Sequence, residues 1–227
     1  MTAATYYRQL KTALAREANE DIAHQQRQYM RNQFDYYGLH APRWLSVIKA
    51  HIHEHDLIPP QLLPGFIELC FDDPFRELQY AAIEITQRLQ KKLGPHAIEL
   101  IETMILEKSW WDTVDWLAKL AGIHFKIYPQ DKAPITRRWM DSQNMWLQRS
   151  AVIFQLLYRY DTDFKLMTRY ILELNSSPEF FIQKACGWAL RQYSKYEAQA
   201  VIDFVENHRL PPLTYREAFK WVNKNLK

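Results

Sequence analysis

Apolar residues recur at helical spacing along nearly the whole chain, and this periodicity predicts helices almost throughout. The predicted spans are roughly 5–17, 20–31, 42–55, 60–71, 75–91, 95–107, 109–122, 131–142, 144–160, 162–174, 178–194, 196–207 and 213–225. Prolines fall between the apolar runs, at Pro59-Pro60, Pro64, Pro74, Pro95, Pro129, Pro134, Pro178 and Pro211-Pro212. Such a distribution suits helices joined by short turns.

Within the helical pattern a short phrase returns: LQYAA at 78–82, VDWLA at 114–118, LQRSA at 147–151 and IQKAC at 182–186. The offsets are 36, 33 and 35 residues. Each copy opens on an aliphatic residue, continues with Gln or Asp, and ends on a small residue that lets a neighbouring helix approach. A period near 35 built from two helices is the signature of an α-solenoid. The expected fold is therefore all-α: HEAT-like repeats forming a curved superhelix with one helix layer on a concave face. No linker or low-complexity segment interrupts 1–227, which reads as a single domain.

Composition narrows the picture further. The 227 residues include only five glycines, leaving little room for a glycine-rich phosphate loop or for β-hairpins. Two cysteines, Cys70 and Cys186, both sit in apolar helical patterns, so a disulfide framework is not expected. The amphipathic N-terminus lacks the apolar run of a signal peptide, and no apolar run reaches the roughly 20 residues a membrane span needs. A cytoplasmic location is expected. The net charge of +3 and pI of about 8.7 are compatible with nucleic acid without pointing to it strongly. An aromatic content of 14% with eight tryptophans exceeds what a plain core requires.

The 109–122 helix holds the first candidate chemistry. At 3.6 residues per turn, Trp110, Val114, Leu117 and Ala121 form a core stripe. Trp111 and Asp115, four apart, share a bordering face, and Asp112 with Trp116 share a third. A Trp–Asp pair at a border is either an interhelix contact or a site. In the 178–194 helix, Ile182, Ala185, Cys186, Ala189 and Tyr193 make the apolar stripe, and Trp188 lies nearly opposite, between Lys184, Arg191 and Gln192. A large aromatic among cations suits a nucleic-acid backbone: the cations meet phosphates and the ring packs on sugar or base. A neighbouring helix covering Trp188 is the alternative. Arg149 and Lys184 share one repeat position, which suggests a basic track that Arg137, Arg138 and Lys195 could extend. The HIHEH run at 51–55 places His51 and His55 on one face without a third fixed ligand, so a solvated surface is expected there and no metal.

These residues lie in segments that carry a family resemblance running nearly end to end. QYMRNQFDYYGLHAPRW (28–44), KSWWDTVDWLA (108–118), SQNMWLQRSAVIFQL (142–156), FFIQKACGWALRQYSK (180–195) and LPPLTYREAFK (210–220) resemble the AlkD family of DNA alkylation repair glycosylases. Gln143 stands where that family's pattern has Asp. The resemblance implies a cleft formed by Trp111, Asp115, Arg149 and Trp188, with Tyr29 a further cleft residue. It implies excision of cationic alkylpurines such as 3-methyladenine and 7-methylguanine from duplex DNA, without a base-flipping pocket. Asp115, Trp111 and Trp188 are then the catalytic residues, and Arg149, Tyr29, Lys184 and Arg191 contact DNA. No cofactor is called for, and a monomer suits a single site on a duplex. The competing class is a non-catalytic HEAT-like module binding nucleic acid or a protein, which has no need of an acid beside an aromatic at this place.

Overall fold

A computed structural model describes residues 1–225. Among these there is no strand, and a lone parallel bridge joins Asp35 and Phe75. The described residues form two compact units that divide after Leu100.

The first unit contains α1 (Ala3–Ala15), α2 (Glu20–Tyr29), α3 (Ala41–His55), α4 (Leu63–Asp72) and α5 (Arg76–Leu93). Polar side chains set its starts: Thr2 accepts from the Thr5 amide and Asn19 from the Ile22 amide, both at 3.1 Å. Such caps satisfy amides that no earlier turn can reach. The loop 30–40 ahead of α3 has no regular structure and is held by one buried carboxylate. Glu77 accepts from the backbone amides of Tyr37, Gly38 and Leu39 at 3.0, 3.0 and 3.1 Å. Gly38, at φ 88°, brings this loop against the Asn19 carbonyl, where a Cβ would sit 1.9 Å from the oxygen.

His51 departs from the sequence reading. It is 4% exposed, with its ring edge-on to Tyr6 at 4.4 Å, because its helix face turns onto α1 and not to solvent. Among the described residues no group of His, Cys, Asp and Glu could hold a metal ion.

After α6 (Ala97–Leu106) come α7 (Trp111–Ile127), α8 (Pro129–Asp141), α9 (Met145–Ile153), α10 (Phe164–Glu173), α11 (Phe180–Tyr193), α12 (Ala198–Glu206), α13 (Pro212–Ala218) and α14 (Val222–Asn225). Alternate helices form one layer, α7 on α9, α9 on α11 and α11 on α13, while α8, α10 and α12 pack against it. The repeated phrase falls in α5, α7, α9 and α11, and its terminal small residues Ala82, Ala118, Ala151 and Cys186 are 0, 0, 1 and 3% exposed. Polar contacts obey the same period. Arg138–Glu102, Arg149–Asp115, Tyr158–Gly122, Thr136–Tyr170, Arg137–Glu173 and Lys184–Glu217 all span 33 to 36 residues. Within the second unit each repeat therefore bonds to the next one, as a solenoid requires.

The helix expected over 213–225 divides into α13 and α14, and two further predicted boundaries move clearly. The helix expected over 109–122 begins at Trp111 and runs to Ile127, so Trp110 is an extended residue at its entrance and not part of the core stripe. The helix expected to reach 160 stops at Ile153. There the chain is drawn onto α7: a Cβ on Gly122 would lie 2.1 Å from the Phe154 carbonyl oxygen, and Tyr158 Oη donates to the Gly122 carbonyl at 2.6 Å.

Candidate active site

The repeated phrase exposes an anomaly at its second position. In three copies that position is Gln, and each Gln Nε2 donates to a carbonyl six to eight residues back, holding the turn before its helix. Gln79 reaches Asp73 O at 2.9 Å, Gln148 reaches Met140 O at 3.0 Å, and Gln183 reaches Ser177 O at 3.0 Å. In α7 the residue is Asp115, which has no proton to give when ionised. The turn before α7 is held instead by Ser109, whose hydroxyl donates to Ile105 O at 2.6 Å. An acid has replaced a structural amide.

Asp115 is clasped from the next repeat. Arg149 Nε and Nη2 donate to its two carboxylate oxygens at 2.7 and 2.9 Å, a planar two-point fork. Nη1 of the same guanidinium donates to the Phe181 carbonyl at the start of α11, at 2.5 Å. One arginine thus ties α7, α9 and α11 together. The side chains are 6% and 14% exposed for Arg149 and Asp115, so both charges are largely removed from water. Burial pushes the Asp115 carboxyl above the usual aspartate range, and the Arg149 bonds and charge only partly pull it back. The result is a poorly hydrated negative charge in a fixed orientation.

Aromatic residues share the helices of this pair, and the Phe181 ring centroid lies 6.0 Å from the Arg149 guanidinium carbon. Trp111, half-buried, stands one turn before Asp115 on the same helix. Trp110, Trp146 and Phe181 form a cluster with centroid separations of 5.9, 5.1 and 5.1 Å. The buried Trp110 Nε1 lacks a hydrogen-bond partner among the described residues. Trp188 stands seven residues beyond Phe181 on α11, about 10 Å along its axis, and is half-buried rather than fully outward.

The cations of the track read from the sequence all have partners within the protein. Arg149 is buried against Asp115, with three of its donors used inside the protein. Arg137 is bound to Asp141 and Glu173, Arg138 to Glu102, and Lys195 to Gln192. Lys184 and Arg191 do flank Trp188, but both donate to Glu217, at 2.6 and 2.8 Å. Repeat equivalence predicts a shared layer; it does not predict which cations find acids. Tyr29 is the last residue of α2 and is 72% exposed, in the first unit. Two features of the site escaped the sequence reading, the Phe181 carbonyl and Glu217. A carbonyl leaves no signal in side-chain identity, and Glu217 lies in a segment quoted above for its resemblance alone.

A helical-repeat protein in which an acid, held by a buried arginine, borders a group of tryptophans is the class that fold and site define. The model of the DNA alkylation repair enzyme family matches residues 10–222. A solved structure described as a predicted DNA alkylation repair enzyme from Enterococcus faecalis is similar at 30% identity, over 91% of this chain and 97% of that one, with a TM-score of 0.85. AlkD2 from Streptococcus mutans shares the fold at 19% identity, over 77% of this chain and 87% of that one, with a TM-score of 0.59. No curated protein matches. The chain belongs to the DNA alkylation repair enzyme family, and the AlkD resemblance stands. Among the described residues no helix is long and apolar enough to cross a membrane.

Proposed function

We propose that this DNA repair enzyme is a monofunctional glycosylase that hydrolyses the N-glycosidic bond of cationic alkylpurines, 3-methyladenine and 7-methylguanine, in duplex DNA. The observation that carries the reading is Asp115: an acid at a repeat position otherwise given to a turn-holding amide, fixed by Arg149 and one turn from Trp111. Such placement serves folding poorly, since removing two charges from water costs several kcal/mol per ion before their attraction offsets it.

The chemistry needs little more. An N3- or N7-alkylated purine already carries positive charge, so the C1′–N bond breaks with its electron pair neutralising the base and no acid has to protonate it. Positive charge develops on the sugar. Asp115 stabilises that charge electrostatically and orients the water that adds to C1′, accepting its proton. Trp111 and Trp188 offer π faces to the sugar, each contributing about 0.5–2 kcal/mol. Arg149 holds the Asp115 carboxylate in place, and its two remaining N–H groups are what it can offer a phosphate. Tyr29, Lys184 and Arg191 contact the DNA backbone. The protein acts as a monomer and without a cofactor.

Release of free 7-methylguanine and 3-methyladenine from methylated duplex DNA tests the proposal. Wild type releases both, and Asp115→Asn releases them about 100-fold more slowly, the loss expected on removing a main electrostatic stabiliser. Duplex binding without base release by the wild type would show a binding module and end the glycosylase reading.

A further inference from the structure

Three cations converge on one buried acid at the far end of the site. Lys184 and Lys220 donate to Glu217 Oε1, both at 2.6 Å, and Arg191 to Oε2 at 2.8 Å. The Glu217 side chain is only 4% exposed, whereas Lys184, Arg191 and Lys220 are 37, 29 and 48% exposed. The acid lies beneath and the cations are presented above it. One carboxylate against three cations leaves two positive charges of the cluster unneutralised. Trp188 sits between Lys184 and Arg191 on the same helix.

The backbone is shaped to bring Glu217 there. A Cβ on Gly187 would lie 2.4 Å from Glu217 Cβ and 2.7 Å from the Thr214 carbonyl, so a glycine is what admits α13 at this distance. Thr214 Oγ1 then donates to Gln183 O at 3.1 Å and fixes the contact. Simple neutralisation of Glu217 needs none of this, since Lys220 is already its i+3 neighbour. Burial pushes the Glu217 carboxyl up, but the Lys184 and Lys220 bonds outweigh it and hold it at about 2, so it stays ionised at any working pH.

We propose that Glu217 is a positioning residue that gathers Lys184, Arg191 and Lys220 into a preset phosphate-binding array beside Trp188, making Lys220 a DNA contact. This rests on the DNA repair reading. Long flexible side chains lose rotamer freedom when they grip a phosphate, and an acid that fixes them beforehand removes that loss from binding.

Binding of undamaged duplex DNA is measured by fluorescence anisotropy between about 50 and 200 mM salt, for wild type, Lys220→Ala, Glu217→Gln and the double variant. Lys220→Ala weakens binding about fivefold and reduces the slope of log K against log salt by about one, as loss of one phosphate contact does. Glu217→Gln also weakens binding, although it removes a negative charge from beside the DNA, and Lys220→Ala has no further effect in it. Tighter binding by Glu217→Gln would mean that the carboxylate only masks charge, and overturns the inference. Should Glu217→Gln melt early, the Lys220→Ala slope decides alone: an unchanged slope overturns the inference. If wild type releases methylated bases while that slope is unchanged, the inference alone is lost. Absence of any duplex binding by wild type removes the repair reading with it.

Discussion

A buried arginine and aspartate contribute little to folding as a pair, yet either left alone is costly. Arg149→Ala strands the Asp115 charge and leaves the Phe181 carbonyl without its donor, so chemical denaturation should show a loss of about 3–5 kcal/mol. The same change lifts the Asp115 carboxyl still further. Because burial already holds it high, base release by wild type should fall on the acid side at a pH above the ordinary aspartate value near 3.9. Activity of the ionised form is present above the raised value and lost as pH drops through it, and Asp115→Asn, slow throughout, lacks that limb. His51 makes a separate prediction about stability. Burial, then the positive charge of His55, lowers its pKa from 6.5 to about 4. Above 6.5 both folded and unfolded chains hold it neutral, and stability from this group is complete. Between 6.5 and 4 the unfolded chain takes up the proton first, so about 3 kcal/mol is lost as pH falls. Melting temperatures should show wild type losing stability relative to His51→Phe as pH falls over that range, and a constant difference would refute the assignment. At this scale sequence reading found the residues and missed their partners. Asp115 and Trp111 were legible because a turn of helix separates them. The Asp115–Arg149 bond spans 34 residues, and only packing decides it.

Helices carry the constraint one level up, through the places where they touch. Gly122 and Gly187 lie in mid-helix, where glycine normally weakens the element by about 0.5–1 kcal/mol relative to alanine. Here the order reverses. Gly122→Ala drives a methyl group to within 2.1 Å of the Phe154 carbonyl, and should cost about 3 kcal/mol or more because backbone, not a flexible side chain, must move. A midpoint equal to or higher than wild type in urea would show that α9 has room to shift. The same contact explains why the periodicity continued past Ile153 while the helix did not: apolar spacing persists, but the chain bends onto α7 to give its carbonyl region to Gly122. Helix identity was legible throughout, since periodicity and proline punctuation are local. Ends were not legible where a neighbouring helix sets them.

At the scale of the molecule, the sequence repeat predicted the two-helix period, and contacts spanning 33 to 36 residues obey it. Net charge of +3 carries almost no functional information, because most cations on the expected track are matched to acids one repeat away. What distinguishes the molecule is therefore a chemical economy. In the proposed reaction Asp115 acts ionised, and its partner Arg149 has no proton available for transfer at working pH. Nothing in that pair can protonate a departing neutral base. Discrimination should accordingly follow lesion charge. In matched duplexes, 7-methylguanine should be released at least about 100-fold faster than a neutral modified purine such as hypoxanthine, the loss reflecting a missing general acid, which typically contributes 10²–10⁴-fold. Lowering pH should not rescue the neutral substrate, because Asp115 loses its charge over the range in which a proton becomes easier to supply. Comparable release of both bases at neutral pH would mean that some other group protonates the leaving purine, and Asp115 would lose its place as the sole acid–base residue in the reaction.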